Sequence, residues 1–369
     1  MVTVDPGEPT QRSAGYGSAE AQLGAEAPLV SVIDAAAERP LTRALIPDGV
    51  RHRGECLLPR AAAMSPRGDA LFVTCLGLDA LLELDARGLD PSRLETRRFR
   101  VPAGPTGVAI DAEAAHAVVW SQFDQTLALI DLTLPEGSPA ALLHASAAAP
   151  SRLPVAQAWG RKLFHLTDDP RVSGDGRACA SCHPDGRDDA LSWATPDGPR
   201  RTAMLAGRLE GTAPYGWSGS GKTLKEHLGH TFERLNGSGL RGVELDSLLA
   251  YVQSLRPPAT RSAGSAALAR GEAIFRSSEA GCAGCHQDTG QGALLTDRKV
   301  HDIGSKAHAD REPGFDTPSL RFVAARAPYF HDGRYASLHA LLRSNEKMGS
   351  TRHLSEADLE ALEAYLRLL

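Results

Sequence analysis

Between residues 28 and 134, short apolar runs alternate with turn residues, the pattern of β-strands. SPRGDALFVTCLGLDALLELDA (65–86) and AIDAEAAHAVVWSQFDQTLALIDL (109–132) share one plan. Each has a turn, a strand, a polar turn and a strand ending in Asp. LVSVIDAAAERPLTRALIP (29–47) reads as the end of an earlier unit of this kind. Beyond residue 154 the period changes. Leu245, Leu248, Leu249, Val252 and Leu255 recur at helical spacing, as do Leu359, Leu362, Leu366 and Leu369. Ser355 with Asp358 gives the last helix a capping-box start.

The helical part is an internal repeat. APYGWSGSGKTLKEHL (213–228) lies against APYFHDGRYASLHALL (327–342) without a gap, at an offset of 327 − 213 = 114. The same offset superposes LDSLLAYVQSL (245–255) on LEALEAYLRLL (359–369), and GRKLF (160–164) and GEAIF (271–275) open the two copies. The β-units resemble blades of YVTN/WD-like β-propellers. A propeller needs about four to eight blades of roughly 40 residues, and 28–134 holds between two and three. The expected fold is therefore multidomain β + α: partial β-propeller blades, then two tandem, mainly α-helical cytochrome c domains. The expected divisions are 1–27, a disordered or truncated start; 28–134, the propeller-like part; 135–154, a linker; 155–255, the first helical domain; 256–265, a second linker; and 266–369, the second helical domain. The missing blades and the absence of a basic, apolar leader in MVTVDPGEPTQRSAGYG both suggest a truncated or misassigned start.

Net charge changes the picture little. At −5, with a pI near 6.2, nothing suggests a polyanion-binding surface, so nucleic acid is not an expected partner. No run of eighteen apolar residues marks a membrane span. The cysteines change it more. Four of the six stand in two CxxCH strings, Cys179/Cys182/His183 and Cys282/Cys285/His286. In such a string two thiols add across the vinyl groups of a haem and the adjacent His ligates the iron. One CxxCH could instead be a dithiol or half a zinc site. Two of them, at matching places in a duplicated helical domain, point to two covalently attached haem c groups. Haem c attachment takes place outside the bacterial cytoplasm, so the expected compartment is the periplasm. There a disulfide between Cys56 and Cys75 is chemically plausible.

The chain from about 155 to 369 resembles the bacterial dihaem cytochrome c peroxidase and MauG superfamily. The resemblance rests on GRKLFHLTDDPRVSGDGRACASCHPDG, GPRRTAMLAG, RGEAIFRSSEAGCAGCH, FDTPSL, APYFHDGRYASL and MGSTRHLSEADLEALEAYLRLL. It implies that the haem at His286 stores or relays electrons, with Met348 as its sixth ligand; a thioether ligand raises the reduction potential. Tyr335 is the runner-up, with His301 and His308 behind it. It implies that the haem at His183 meets peroxide. Arg234 stands 114 residues before Met348 and is no haem ligand, and no His lies between His183 and His227. The first haem is thus expected to be five-coordinate.

Peroxide cleavage needs a group that moves a proton from the near oxygen to the leaving one. The resemblance assigns this to Glu233, helped by His227, although the spacing between the two is shorter than the family's. Arg234 could stabilise departing hydroxide. Trp217 matches the family's Trp between the haems, an electron or hole relay, and aligns with His331, expected to hydrogen-bond near the second haem. Related proteins commonly bind calcium between the haems; here Arg201 and Arg326 stand at two expected ligand places, and Arg cannot ligate a cation. Their guanidiniums would then supply the positive charge. Three functions follow: reduction of hydrogen peroxide with electrons from a small donor protein (a cytochrome c or cupredoxin), MauG-type oxidation of a Trp or Tyr on a partner protein, or electron transfer without catalysis.

Overall fold

The computed structural model describes residues 2–5, 27–45, 54, 56–87, 95–145, 153–257, 266–287, 294–344 and 348–369. Most of the expected start (1–27) and much of the two linkers (146–152 and 258–265) lie outside the described residues. The architecture is mixed, with separate antiparallel sheets and helical segments. The chain divides into two compact units, 1–181 with 232–251, and 182–231 with 252–369.

The first unit holds eleven strands among its described residues. β1 (Val2–Asp5), β2 (Ala27–Asp34) and β3 (Arg39–Leu45) make a three-stranded sheet. β4 (Pro59–Met64), β5 (Ala70–Cys75), β6 (Ala80–Asp85) and β7 (Glu95–Arg100) form a four-stranded meander. β8 (Pro105–Ile110), β9 (His116–Ser121), β10 (Thr126–Asp131) and β11 (Ala141–His144) form a second. The two strand–turn–strand repeats seen in the sequence are β5–β6 and β9–β10. Side-chain carboxylates brace both turns: Asp79 Oδ1 accepts from Gly104 N at 2.8 Å, and Asp124 Oδ2 accepts from Ala103 N at 2.8 Å.

Phe72, Leu81, Phe99, Val119, Ala128 and Ile130 share one apolar cluster that joins the two meanders. The opposite faces of β5 and β6 are also covered, by a cluster of Cys56, Val73, Cys75, Leu82 and Leu84. Within it Cys56 and Cys75 are disulfide-bonded, with Cα atoms 5.2 Å apart. β5 and β6 are therefore buried on both faces, which is why ALFVTC and ALLELD read as near-continuous apolar runs.

The helices are α1 (Val155–His165), α2 (Cys179–Cys182), α3 (Leu224–Arg234), α4 (Gly242–Ser254), α5 (Ala266–Arg276), α6 (Leu338–Ser344) and α7 (Glu356–Leu366). None is long and apolar enough to cross a membrane. In the first unit α1 is tied to the sheet turns. Lys162 Nζ meets Asp124 Oδ1 at 2.7 Å, and Arg161 lies over the Phe123 ring at 4.5 Å. Thr167 N donates to Gly77 O at 3.1 Å. α1 crosses α4 at Gly160, where a Cβ would lie 1.9 Å from Ser247 O. In the second unit α5 crosses α7 at Gly271, where a Cβ would lie 2.0 Å from Ala361 O. Phe164–Tyr251 and Phe275–Tyr365 flank the two crossings, both with ring centroids 5.4 Å apart. Only glycine lets the helix backbones approach this closely.

Other features recur at the 114-residue offset within the second unit. Tyr215 bridges Gly221 as Tyr329 bridges Tyr335, and Ala213–Pro214 and Ala327–Pro328 are both cis. Short hairpins β12 (Ser192–Thr195) with β13 (Gly198–Arg201) and β14 (Val300–His301) with β15 (Phe315–Asp316) line the loops between helices. The core of this unit joins α5, α6 and α7 through Ile274, Phe275, Leu338, Leu341, Leu359 and Leu362. Ser355 Oγ caps α7 by accepting from Asp358 N at 3.2 Å.

Candidate haem sites

The second CxxCH opens on a short 3₁₀ turn, Cys282–Gly284, and ends on a buried His286. His286 Nδ1 lies 3.1 Å from Leu295 O. A carbonyl can only accept, so the proton sits on Nδ1 and Nε2 keeps a free lone pair. Burial pushes the imidazole pKa down, which keeps it in the neutral, ligating form. Burial also pushes the Cys282 thiol up to about 11 and raises Cys285. His286 and Cys285 line one cavity. Met348 lines the same cavity. Beside it Gly349 has φ +71°, and a Cβ there would lie 2.5 Å from Ala280 O and 3.7 Å from Cys282 Sγ. The turn carrying Met348 thus packs close against the cysteine motif, and the donor set of two thiols, a neutral imidazole and a thioether fits a haem c.

The runner-up ligands stand differently. Tyr335 packs on the apolar core and against Phe330, outside the cavity lining. His301 lines the cavity, but its Nε2 is held by Asp297 Oδ2 at 2.7 Å. His308 is exposed. Cys285, Asp297 and His301 also place ligand atoms within 4.8 Å of one another. That is three donors where structural zinc takes four. Cys282 does not supply the fourth, since its S–H points to Ala280 O at 3.8 Å.

The first CxxCH spans α2, with His183 following it. His183 Nδ1 meets Arg187 O at 3.2 Å, so Nδ1 carries a proton. Burial lowers its pKa and raises that of Cys179 to about 12.

From the His183 loop a bonded series runs through the second unit. Next to Arg187, Asp188 pairs with Arg201 at 2.7 Å, with side chains 4% and 1% exposed. Arg201 O accepts from Trp217 Nε1 at 2.7 Å, and Arg201 N donates to His331 O at 2.6 Å. Trp217 and His331 rings stand edge to face, 6.4 Å apart, and both line the cavity of His286. His331 stacks on Phe315 at 3.8 Å and meets Asp310 Oδ2 through Nε2 at 2.8 Å. Asp310 also takes Arg200. His331 is thus a hydrogen-bonded wall of the cavity.

The proton-handling candidates lie on α3. His227, in its first turn, is half-buried with its ring 6.4 Å from that of Tyr215. Glu233 and Arg234 are in the last turn, Glu233 exposed to solvent. A helix advances about 100° per residue, so six residues set His227 and Glu233 about 120° apart around the axis. The helix does not bring them to one face.

Arg201 and Arg326 are both buried, at 2% and 7% exposed, and both line the cavity. Burial, then the charge of Arg201, pushes Arg326 down to about 10. Sequence reasoning passed over Asp188, Arg208 and Asp316. Asp188 sits in DGRDDA just after the first motif, and Asp316 in FDTPSL. Three acidic residues within six positions of His183 were the available signal for Asp188. Asp316 lines the cavity with Oδ1 unpartnered, and burial pushes it up to about 7.

Residues 268–369 match the cytochrome c family. The chain is 30% identical over 286 residues to the methylamine utilization protein MauG of Methylorubrum extorquens, covering 58% of this chain and 78% of that protein. It is 27% identical over 256 residues to the hydrazine synthase subunit gamma of Kuenenia stuttgartiensis, covering 52% and 72%. A solved structure of Kuenenia stuttgartiensis hydrazine synthase superposes with a TM-score of 0.50 at 22% identity, over 59% of this chain and 89% of the other.

Proposed function

Because the chain belongs to the dihaem cytochrome c superfamily of MauG and the hydrazine synthase gamma subunit, we propose that it is a MauG-type oxidase, using hydrogen peroxide to oxidise a Trp or Tyr on a partner protein. The observation that carries this reading is the bonded series His183–Arg187, Asp188–Arg201 and Trp217. It leads from the first CxxCH to the cavity wall of the second with an oxidisable indole in it. A haem at each CxxCH supplies, when bound, iron that exchanges single electrons. Cys179, Cys182 and His183 would hold one, and Cys282, Cys285, His286 and Met348 the other, in two tandem cytochrome c domains.

The balance is H₂O₂ + 2 H⁺ + 2 e⁻ → 2 H₂O, with both electrons leaving aromatic side chains of the partner. Trp217 is placed to pass them, its indole N–H fixed on Arg201 O. His227 and Glu233 are the proposed proton carriers, His227 from the half-buried first turn of α3 and Glu233 from its exposed end. The lack of a His between His183 and His227 favours this reading over a peroxidase that must first shed a ligand. Hydrogen peroxide and a protein substrate are the proposed partners, and a small electron-donor protein is the partner in the peroxidase reading. The two meanders would be propeller blades that dock the partner. The disulfide and the haem-attachment motifs together favour the periplasm.

The test is peroxide turnover of the haem-loaded protein with secreted proteins from its source as substrates, followed by mass spectrometry. Oxidised Trp or Tyr, lost in Trp217→Phe with both haems retained, is the expected result. Peroxide consumption that depends only on a reduced cytochrome or cupredoxin would replace it with the peroxidase reading. No reaction with peroxide would leave electron transfer alone.

A further inference from the structure

The loops beside the second CxxCH bury three guanidiniums, and only one of them pairs with a carboxylate among the described residues. Arg201, Arg208 and Arg326 are 2%, 7% and 7% exposed. Asp188 pairs with Arg201 at 2.7 Å. Arg208 spends its donors on neutral acceptors, the carbonyls of Arg321 and Ser319. Arg326 has no ion pair with a carboxylate among the described residues, and its Nε is buried with no hydrogen-bond partner. Arg201 Nε is in the same condition. Both arginines line the cavity that holds His286 and Met348.

A guanidinium offers five donors in a planar fork and does not shed its proton, so burial without an anion is costly. The fork matches a carboxylate in two-point contact. Asp316 also lines this cavity, but neither arginine forms an ion pair with it among the described residues, so the guanidiniums still call for an anionic partner there. A haem carries two propionate carboxylates, and the cavity that would hold it is the one the two arginines line. We infer that Arg326 and Arg201 are the anchor for the propionates of the haem attached at Cys282 and Cys285. Arg326 makes the direct pair, and Arg201 is held in place by Asp188. The inference rests on the haem assignment proposed above and adds a role for Arg326, which that reading leaves unused, and for the guanidinium of Arg201.

The consequence is electrostatic. Reducing the haem adds a negative charge, and a buried guanidinium beside it stabilises the reduced form. Removing Arg326 should lower the reduction potential of this haem.

The experiment uses the full-length, haem-loaded protein, with Arg326→Met as an apolar replacement of similar length and Arg326→Lys as the conservative one. Haem content is counted first, from the pyridine haemochrome spectrum of each protein. The potential of the second haem is then measured by spectroelectrochemistry, and its propionate bending mode by resonance Raman. A downward shift of potential with a displaced propionate mode in Arg326→Met, and recovery of the potential in Arg326→Lys, is expected. Two haems per chain with unchanged potential and unchanged propionate mode would overturn the inference. A wild-type potential that follows chloride or phosphate concentration would also overturn it, since a free anion would then hold the arginines. A wild-type protein without haem at Cys282 and Cys285 would instead overturn the haem assignment beneath it.

Discussion

Removing the carboxylate of Asp188 should destabilise the second unit well beyond the effect of an ordinary ion pair. Asp188 and Arg201 side chains are 4% and 1% exposed, so neither charge can turn to water. Asp188→Asn keeps an oxygen where Arg201 Nη2 donates, and Arg201 keeps its bonds to Thr202 O (3.0 Å) and Ala327 O (3.1 Å). The substitution therefore removes charge and little else. Breaking a buried pair by deleting one partner costs about 3–5 kcal/mol. The retained hydrogen bonds place this case near the lower end, about 3 kcal/mol, or roughly a hundredfold in the folding equilibrium. At about 2–4 °C per kcal/mol for a unit of this size, Tm should fall by about 6–12 °C. Urea unfolding followed by far-UV circular dichroism measures the same loss. Adding Arg201→Met to Asp188→Asn removes the stranded cation, so the double variant should be more stable than the sum of the singles by about 0.5–3 kcal/mol. A loss below about 1 kcal/mol for Asp188→Asn, the value of an exposed pair, with additive singles, would refute the reasoning.

Asp316 gives a pH dependence. Burial, then the nearby Asp297 charge, pushes its pKa up to about 7, against about 3.9 in an unfolded chain. The folded state holds the extra proton between those values, so the contribution to stability is present below about pH 4 and is lost as pH rises through about 7. Asp316→Asn should flatten the urea midpoint across that range and leave the variant the more stable at pH 8; parallel curves would contradict this. Gly271→Ala should destabilise by about 1–3 kcal/mol through overpacking against Ala361 O, although alanine is the better helix former. Gly229→Ala on α3, where a Cβ meets nothing within 4 Å, should instead stabilise by about 0.4–1 kcal/mol; equal effects at the two sites in thermal melts would show that the crossing is not tight. Met348→Ala should convert the second haem from low to high spin and lower its potential, because a thioether ligand raises it; an unchanged low-spin spectrum would assign the sixth position to another residue.

What the sequence made legible was local or periodic. The CxxCH strings, the leucine spacing of α4 and α7 and the Ser355 cap are each written within a dozen residues. The 114-residue offset was legible because both copies retain the same backbone needs, such as the paired bridges at Tyr215–Gly221 and Tyr329–Tyr335. Met348 was read from a family likeness, and it lines the same cavity as His286. The charge network was not legible. Asp310 lies in the polar string HADREP, indistinguishable from a solvated loop, yet it joins Arg200 and His331, which are 110 and 21 residues away. Arg208 carried no signal in the sequence, because its acceptors are carbonyls of a loop more than 100 residues on. Pairings of that kind leave no spacing in the sequence to count. For His227 and Glu233 the count of six residues is easily read, but it sets them about 120° apart around α3 rather than on one face.

The most direct test of MauG-type chemistry is to mix the fully oxidised, haem-loaded protein with hydrogen peroxide in a stopped-flow spectrometer, with no reductant present. Since no His lies between His183 and His227, this reading predicts prompt loss of the high-spin band, followed by its return when an oxidisable aromatic protein is added. A diferric protein whose spectrum does not change with peroxide, and which responds only after one-electron reduction, would contradict that reading.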